Sequence, residues 1–166
     1  MINVKEKQMH YNTLKWDIRF LELAEHFSFW SKDPSRQVGA VAISPSRQIL
    51  SIGWNGFPRG IEDMKDRLDN RELKYKYIVH AEQNVLYNAC QNGVSLVGST
   101  LYTFGLPVCS ECAKGVIQCG IKEVKCGFVG SIFDPRWKDS CEFAKKMFDE
   151  ANIDITYYSK ENGEWR

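Results

Sequence analysis

Apolar residues change their spacing along the chain, and these changes predict its helices and strands. From Leu14 to Phe29 they recur with helical spacing, which predicts a first helix over about 12–31. Two short runs rich in valine and isoleucine, 38–43 and 49–54, are typical of strands. Because only a short Ser-Pro-Ser-Arg turn separates them, the two strands are expected to form an antiparallel hairpin.

The rest of the chain is predicted to alternate helices with strands. The segment 55–76 is charged and contains glycine and proline, so we expect a long loop with a short helical turn, and a loop of this size is usually functional. The pattern then predicts helices over 80–93, 110–118 and 138–151 and strands over 99–104, 123–128 and 154–158. Gly93 and Gly120 are expected to end two of these helices. This order predicts a five-stranded mixed sheet with helices on both faces.

Length and composition indicate one globular domain over residues 1–166. With 43% hydrophobic residues, the chain can bury a substantial core. No apolar run is long enough to span a membrane, and the polar, charged start of the chain does not resemble an export signal. Six cysteines without such a signal indicate reduced thiols and a cytoplasmic location.

The charge balance narrows the class of partner. The chain has 22 basic and 21 acidic side chains, a formal net charge of +1, and no long basic run. A stable, sequence-independent grip on nucleic acid needs a basic surface, so none is predicted. The balance is more typical of an enzyme that acts on a small molecule.

The candidate chemistry lies in His80-Ala81-Glu82 and, further on, Cys109-Ser110-Glu111-Cys112. One imidazole and two thiolates suit a zinc ion that keeps its fourth position open. A C-x-x-C pair alone could instead be a redox pair, half of a structural zinc site or two core cysteines. The other four cysteines form no second close pair, however, and a structural site needs four ligands. The joint pattern H-x-E…P-C-x-x-C therefore favours a catalytic zinc site, as in the zinc-dependent deaminases of nucleic-acid bases.

The predicted elements place these residues usefully. His80 and Glu82 fall at the start of one helix, and Cys109 and Cys112 fall at the start of another. The positive ends of both helix dipoles would then favour thiolates at the site. Glu82 is expected to accept a proton from a water molecule and return it to the leaving amine, so that one carboxylate is first base and then acid.

Four segments extend the match beyond the zinc signature: 31–40 (SKDPSRQVGA), 53–58 (GWNGFP), 75–82 (YKYIVHAE) and 109–114 (CSECAK). In order and spacing they resemble deoxycytidylate (dCMP) deaminases, over residues 14 to 151. The resemblance implies conversion of dCMP to dUMP and ammonia, which supplies the precursor of thymidylate. It also implies the three-layer α/β/α sandwich of cytidine deaminases and a homo-oligomer, commonly a hexamer. It further implies activation by dCTP and inhibition by dTTP, with a magnesium ion bound together with the triphosphate.

The resemblance also assigns roles to residues of this sequence. The zinc ligands would be His80, Cys109 and Cys112, with Glu82 as the proton shuttle. Asn55 would hold the sugar hydroxyl, and Ala81 is a further substrate-binding candidate. Phosphate needs cationic donors, for which Lys32 and Arg36 before the first strand are candidates, although both could equally be solvated loop charges. Phe133 and Trp137 are candidates for stacking on the base; Tyr102 is another, although a strand tyrosine is more often part of the core. The effector motif would be Gly53-Trp54-Asn55-Gly56, so Asn55 carries two possible roles.

Three departures from the family pattern lead to expectations. Proline stands one place early, at Pro107, so we expect an altered loop before an intact zinc site. Trp54 replaces the usual tyrosine, which removes a hydroxyl from the effector motif. The segment 59–73 lacks the cysteines and histidine that many relatives use for a structural zinc, so we expect one zinc per chain.

Other functions share parts of this pattern. A tRNA adenosine deaminase has the same zinc core, but it needs a basic surface that the near-neutral charge does not offer. A deaminase of free nucleosides or of guanine would need no phosphate site. In a non-enzymatic zinc module Glu82 would have no role, and its replacement by glutamine would change nothing.

Overall fold

A six-stranded sheet forms the centre of the protein in its computed structural model, which describes residues 4–130 and 135–165, with side chains from residue 13 onward. The elements in chain order are α1 (Val4–Ser28), β1 (Gly39–Ile43), β2 (Ile49–Trp54), α2 (Lys65–Asp69), α3 (Arg71–Tyr77), α4 (Ala81–Gln91), β3 (Thr100–Phe104), α5 (Ser110–Gln118), β4 (Glu123–Val129), α6 (Lys138–Glu150), β5 (Asp154–Glu161) and β6 (Glu164–Trp165). The strand order is β2-β1-β3-β4-β5-β6. Strands β3, β4 and β5 are parallel, whereas β1 is antiparallel to both β2 and β3.

Helices cover both faces of the sheet, because alternate residues of β1 serve two cores. Ala40 and Ala42 belong to the larger core, which also contains residues of α4, α5 and α6. Val41 and Ile43 point to the opposite face and pack with α1. The predicted three-layer α/β/α sandwich with a mixed sheet is thereby confirmed, although the sheet has six strands and not five.

The sixth strand and the first helix differ from their predicted limits. β6 has only two residues, so it is too short to show a hydrophobic period. It pairs with β5 through a turn at Asn162 and Gly163, both of which have a positive φ. α1 starts at Val4 and not near residue 12, because its first turns are polar and lack an apolar stripe. It ends at Ser28, whose hydroxyl donates to the Glu25 carbonyl.

The predicted long loop at 55–76 contains two short helices, α2 and α3. Asn70 separates them and caps α3 by accepting a hydrogen bond from the Leu73 N–H at 3.1 Å. Lys74 alone is buried among the residues of these two helices, so their mostly polar sequence carried no amphipathic signal. The expected glycine ends are confirmed, because Gly93 and Gly120 follow α4 and α5 with positive φ.

A buried carboxylate fastens α1 to the sheet. Asp17 accepts hydrogen bonds from the hydroxyl groups of Tyr102 at 2.7 Å and Tyr158 at 2.9 Å. It also pairs with the ammonium of Lys125 at 2.8 Å. These three partners lie on β3, β4 and β5, so one side chain of α1 contacts three adjacent strands.

Strand register brings three loops to one end of the sheet. Gly39, the first residue of β1, pairs with Trp54 at the end of β2 and with Phe104 at the end of β3. The chain before β1 and the chains after β2 and β3 therefore meet at this end. The region before Ala81 is tied in as well, because Gly56 and Val79 form an isolated antiparallel bridge. None of the helices in the described ranges is long and apolar enough to cross a membrane.

Helix α4 lies directly on β2. A Cβ atom at Gly53 would stand 2.5 Å from the Ala81 carbonyl oxygen and 2.7 Å from the Val85 nitrogen. Only a residue without a side chain permits this approach, which sets the height of the first turn of α4 above the sheet.

Candidate active site

Two helix starts carry the candidate chemistry. His80 is the N-cap of α4, and Glu82 lies in its first turn. Cys109 is the N-cap of α5, and Cys112 lies in its first turn. Both placements agree with the sequence prediction. The proline at 107 has not separated the predicted ligands, since the imidazole and both thiols converge.

The convergence fits a zinc ion. The Nδ1 atom of His80 lies 3.5 Å from the Cys109 sulfur and 3.3 Å from the Cys112 sulfur. All three ligand atoms lie within 4.8 Å of one another. Tetrahedral zinc, with Zn–N and Zn–S bonds of about 2.0 and 2.3 Å, places such atoms about 3.5 Å apart. Three protein ligands of this chemistry suit an open, catalytic zinc position.

The electrostatics of the site favour a bound cation. A hydrogen bond from Cys112 lowers the pKa of Cys109 to about 4, and a thiolate is the form that binds metal. The same hydrogen bond raises the pKa of Cys112. A divalent ion reverses that second shift, because its charge stabilises both thiolates together.

Glu82 is buried beside these ligands, with 4% of its surface exposed. Burial raises the pKa of its carboxyl to about 7, the charge of His80 opposes this, and the nearby Cys112 is a hydrogen-bonding partner. A carboxyl group with a pKa near neutrality can both take up and release a proton. Glu82 is also more buried than a carboxylate whose only role is a favourable interaction with the helix dipole would need to be.

A cleft opens over the ligands. Its floor includes His80, Ala81, Glu82 and Cys109. Its walls come from the loop before β1, from Asn55, from α3 and from Trp137. A concave site with a few convergent polar groups beside the ligands suits the binding of a small ligand.

Asn55 holds the wall of the cleft together. Its side-chain oxygen accepts a hydrogen bond from the Val38 N–H at 2.8 Å. Its amide nitrogen donates to the Arg36 carbonyl at 2.9 Å and to Asp33 at 3.4 Å. Asn55 thus lines the cleft while fixing the loop before β1, and its side-chain oxygen has a second lone pair that could accept another hydrogen bond.

Sequence reasoning missed a buried ion pair in the same wall. The ammonium of Lys74 lies 2.8 Å from an Asp33 carboxylate oxygen and 2.6 Å from the Ser35 hydroxyl. Asp33 also accepts hydrogen bonds from the N–H and hydroxyl of Ser35, at 2.8 and 2.7 Å. Lysine is rarely buried, and no local pattern in the charged segment distinguishes Lys74 from its neighbours.

Besides Asn55, three predicted substrate residues lie at the cleft, namely Ala81, Arg36 and Trp137. Lys32 is not among the described residues that line it; its ammonium pairs with Asp63 at 2.7 Å, and its side chain is 70% exposed. Phe133 lies outside the described residues.

Tyr102 lies away from the cleft, so stacking by this residue was a wrong expectation. Its side chain packs in the core beneath α1, on the other face of the sheet, where its hydroxyl is bonded to Asp17.

Residues 53–56 point in several directions. Gly53 packs on α4, while the ring of Trp54 packs edge-on against Trp30, with centroids 5.0 Å apart. Asn55 lines the cleft, and Gly56 pairs with Val79. The segment therefore connects the cleft to the surface around Trp30, and Trp30 itself is half exposed.

Comparison with known proteins places this site in a family. Residues 14–128 match the model of the cytidine and deoxycytidylate deaminase zinc-binding region. A protein of Aliivibrio fischeri, described as an uncharacterized deaminase in the luxG 3′ region, is 39% identical over 143 residues, which are 86% of this chain and 93% of the relative. Human deoxycytidylate deaminase is 39% identical over 147 residues, which are 84% of this chain and 78% of the human protein.

The fold comparison agrees. The structure of dCMP deaminase from the cyanophage S-TIM5, in complex with dCMP and dUMP, superposes with a TM-score of 0.64. The match covers 95% of this chain and 99% of that chain at 23% identity, which shows a shared fold. The family match spans more than half of the chain and contains His80, Cys109 and Cys112. The resemblance seen in the motifs is thereby confirmed, and the chain belongs to the zinc-binding cytidine and deoxycytidylate deaminase family.

Proposed function

We propose that this protein hydrolyses dCMP to dUMP and ammonia. The observation that carries the proposal is the buried Glu82 beside three converging zinc ligands on the floor of the cleft. The human relative is named a deoxycytidylate deaminase, and the cyanophage enzyme was crystallised with dCMP and dUMP. Both names support this substrate over other amino-bearing bases.

The chain's own residues perform the proton transfers. Zinc held by His80, Cys109 and Cys112 would supply a Lewis acid that makes water acidic enough to lose a proton near neutral pH. Glu82 accepts that proton as water adds to C4 of the cytosine ring. It delivers this proton to the ring nitrogen N3. It then carries the proton of the new C4 hydroxyl to the amine, which leaves as ammonia as the C4–N bond breaks and the C4 carbonyl forms.

The walls of the cleft orient the substrate. The backbone of Ala81, beside the ligands, is suited to hold the base edge, and Asn55 offers its remaining lone pair to a sugar hydroxyl. Trp137 supplies an aromatic wall for the base, a role that we also assign to Phe133. Arg36 supplies charge for the phosphate, with Lys32 as the second residue of that role.

Regulation belongs to the same proposal. We assign residues Gly53, Trp54, Asn55 and Gly56 to a site for dCTP as activator and dTTP as inhibitor, with Mg²⁺ bound to the triphosphate. The link from this segment to the cleft through Asn55 is the physical support for such a coupling. In this proposal the protein is a homo-oligomer in the cytoplasm, a hexamer as is common among such enzymes. Its product dUMP supplies thymidylate synthesis.

The test is direct conversion of dCMP by zinc-loaded protein, followed by the absorbance change from dCMP to dUMP, with and without magnesium and dCTP. Conversion that rises with dCTP supports both the chemistry and the regulatory site. Conversion that ignores dCTP keeps the enzyme and removes the regulatory assignment. Equal rates on dCMP and deoxycytidine would point to a nucleoside deaminase, and no conversion of either would reject the proposed reaction.

The altered effector motif has its own test. Trp54→Tyr restores the hydroxyl that relatives carry, and we expect it to strengthen the response to dCTP while the rate without dCTP changes little. An unchanged response would show that the hydroxyl at this position does not contribute to effector binding.

A further inference from the structure

A residue of α6 caps the helix that carries both thiol ligands. The side-chain oxygen of Ser140, in the first turn of α6, accepts a hydrogen bond from the backbone N–H of Ser110 at 3.0 Å. The hydroxyl groups of the two serines also lie 3.0 Å apart. Ser110 is the first residue of α5 and directly follows Cys109. Ser140 therefore contacts the chain one residue away from a zinc ligand.

The start of α5 needs an acceptor for this N–H group. The first N–H groups of an α-helix have no acceptor within the helix, and a serine, threonine, aspartate or asparagine at the N-cap usually supplies one. The N-cap of α5 is Cys109, whose sulfur is a weak acceptor and is also a metal ligand. Ser140 thus supplies from α6 the oxygen that the N-cap of α5 does not carry.

Core packing fixes the position of Ser140. Ala144 lies one turn later on the same side of α6, and it is buried in the larger core together with Phe148. Ala113 and Val116 of α5 belong to the same core. Because a packed core resists small displacements, the two helices hold their relative position and the Ser140 hydroxyl stays against the start of α5.

We propose that Ser140 is a positioning residue for the metal, which holds the first turn of α5 so that the sulfurs of Cys109 and Cys112 stay within reach of one ion. These sulfurs lie 3.5 and 3.3 Å from the Nδ1 atom of His80 on α4, so a small displacement of α5 would separate the ligands. Groups that orient metal ligands typically contribute tenfold to a hundredfold in metal affinity. Ser140 lies beyond residues 14–128, which match the family model. The proposal rests on the zinc site of the proposed function but not on the identity of the substrate.

Zinc affinity tests the proposal. In competition with a coloured chelator at constant pH, we expect Ser140→Ala to bind zinc about tenfold to a hundredfold more weakly than the parent protein. Ser110→Ala removes the contact between the hydroxyl groups but keeps the backbone N–H, so its effect should be smaller. Ser140→Thr and Ser140→Val have nearly the same shape and differ in the hydroxyl group. Ser140→Thr should therefore bind zinc more tightly than Ser140→Val, and this comparison holds even if Ser140→Ala does not fold.

The spectrum of the cobalt-loaded protein distinguishes ligand positioning from general stability. Co²⁺ can replace Zn²⁺ at sites of this kind, and its visible absorption bands report the arrangement of the coordinating atoms. At saturating Co²⁺ we expect the bands of Ser140→Ala to differ in position or intensity from those of the parent, and Ser140→Thr to keep the parent spectrum. A lower thermal stability of Ser140→Ala with an unchanged spectrum and unchanged zinc affinity would show a structural role alone and would overturn the proposal.

Ser44→Ala is the matched control. The Ser44 side-chain oxygen accepts a hydrogen bond from the Gln48 N–H at 3.0 Å and lies 2.9 Å from the Ser46 hydroxyl, so it makes the same two kinds of contact as Ser140. It follows β1, at the end of the sheet opposite the cleft. We expect Ser44→Ala to keep the zinc affinity and cobalt spectrum of the parent. An equal loss of zinc affinity in both alanine variants would refute the proposal. These measurements need no substrate, so they decide the role of Ser140 even if dCMP is not converted.

Discussion

The ammonium of Lys74 lies 2.8 Å from the carboxylate of Asp33, although 41 residues separate them in sequence. Their side chains are only 7% and 6% exposed. This pair joins α3 to the loop before β1, which carries Arg36 and is bonded to Asn55. One ion pair thus connects two walls of the cleft, and its loss should affect both stability and shape.

Breaking this pair should be costly. Lys74→Met leaves the Asp33 carboxylate buried without its charged partner, and we expect the free energy of unfolding to fall by about 3–5 kcal/mol. Urea denaturation measures the change. Lys65→Met is the control, because its pair with Asp69 is exposed to solvent and should contribute less than about 1 kcal/mol. Equal effects of the two changes would contradict the importance given to burial.

The Asp33 carboxyl should also shape the response to acid. Burial raises the pKa of Asp33, but hydrogen bonds from Lys74 and Ser35 outweigh burial, so its pKa lies below the ordinary 3.8. The carboxylate therefore adds stability above that value, and the contribution is lost as pH falls through the lowered pKa. Below about pH 4, stability should fall less steeply in Asp33→Asn than in the parent. Urea titrations from neutral to acid pH test this, with the exposed Asp149→Asn as control.

Replacing Glu82 separates catalysis from metal binding. Glu82→Gln keeps the shape of the side chain but removes its ability to accept a proton, so we expect kcat for dCMP to fall by about a hundredfold to ten-thousandfold. Zinc content should remain that of the parent, because the three ligands are untouched. Metal analysis and the deamination assay on the same preparation give both values. A variant with full turnover would show that another group carries the proton.

Metal content should be one zinc per chain and should depend on Cys109. Cys109→Ala removes one of three ligands, and we expect the purified variant to retain less than about a tenth of the zinc, since structural support from two ligands is weak. Elemental analysis measures the ratio. Cys90→Ser serves as the control, because Cys90 is exposed and lies outside the cluster. Two zinc ions in the parent chain would refute the expectation of a single site.

The contact between β2 and α4 should be intolerant of a methyl group. Gly53→Ala would place Cβ 2.5 Å from the Ala81 carbonyl oxygen, so the start of α4 must shift. We expect a loss of about 1–3 kcal/mol in stability and a lower affinity for zinc, because His80 precedes this turn. Gly56→Ala is the matched change for stability, since nothing lies within 4 Å of a Cβ atom there. Thermal unfolding and zinc titration compare the two variants.

Local signals predicted the metal site well, because each ligand occupies a position that neighbouring residues determine. His80 and Cys109 start helices whose ends are marked by Gly93 and Gly120, so spacing alone placed them correctly. The sheet was predicted from hydrophobic periodicity for the same reason. Failures came where polar residues hid a helix, as in the first turns of α1 and throughout α2 and α3.

The cleft walls could not be predicted in this way. Burial of Lys74 depends on Asp33, and neither residue shows its partner in the surrounding sequence. Asn55 was expected at the substrate, but its bonds to Val38 and Arg36, which fix the loop before β1, depend on strand register. Contacts between distant segments decide such features, and a single sequence does not report them.

Asp17 imposes an order on the assembly of the protein. Its partners Tyr102, Lys125 and Tyr158 follow it by 85, 108 and 141 residues. During synthesis its carboxylate emerges long before any of them, and until they arrive its charge is best kept in water, because an unpaired buried carboxylate is costly. The hydrogen bonds that seat Asp17 are therefore complete only after β5 has been made, so this contact of α1 forms late.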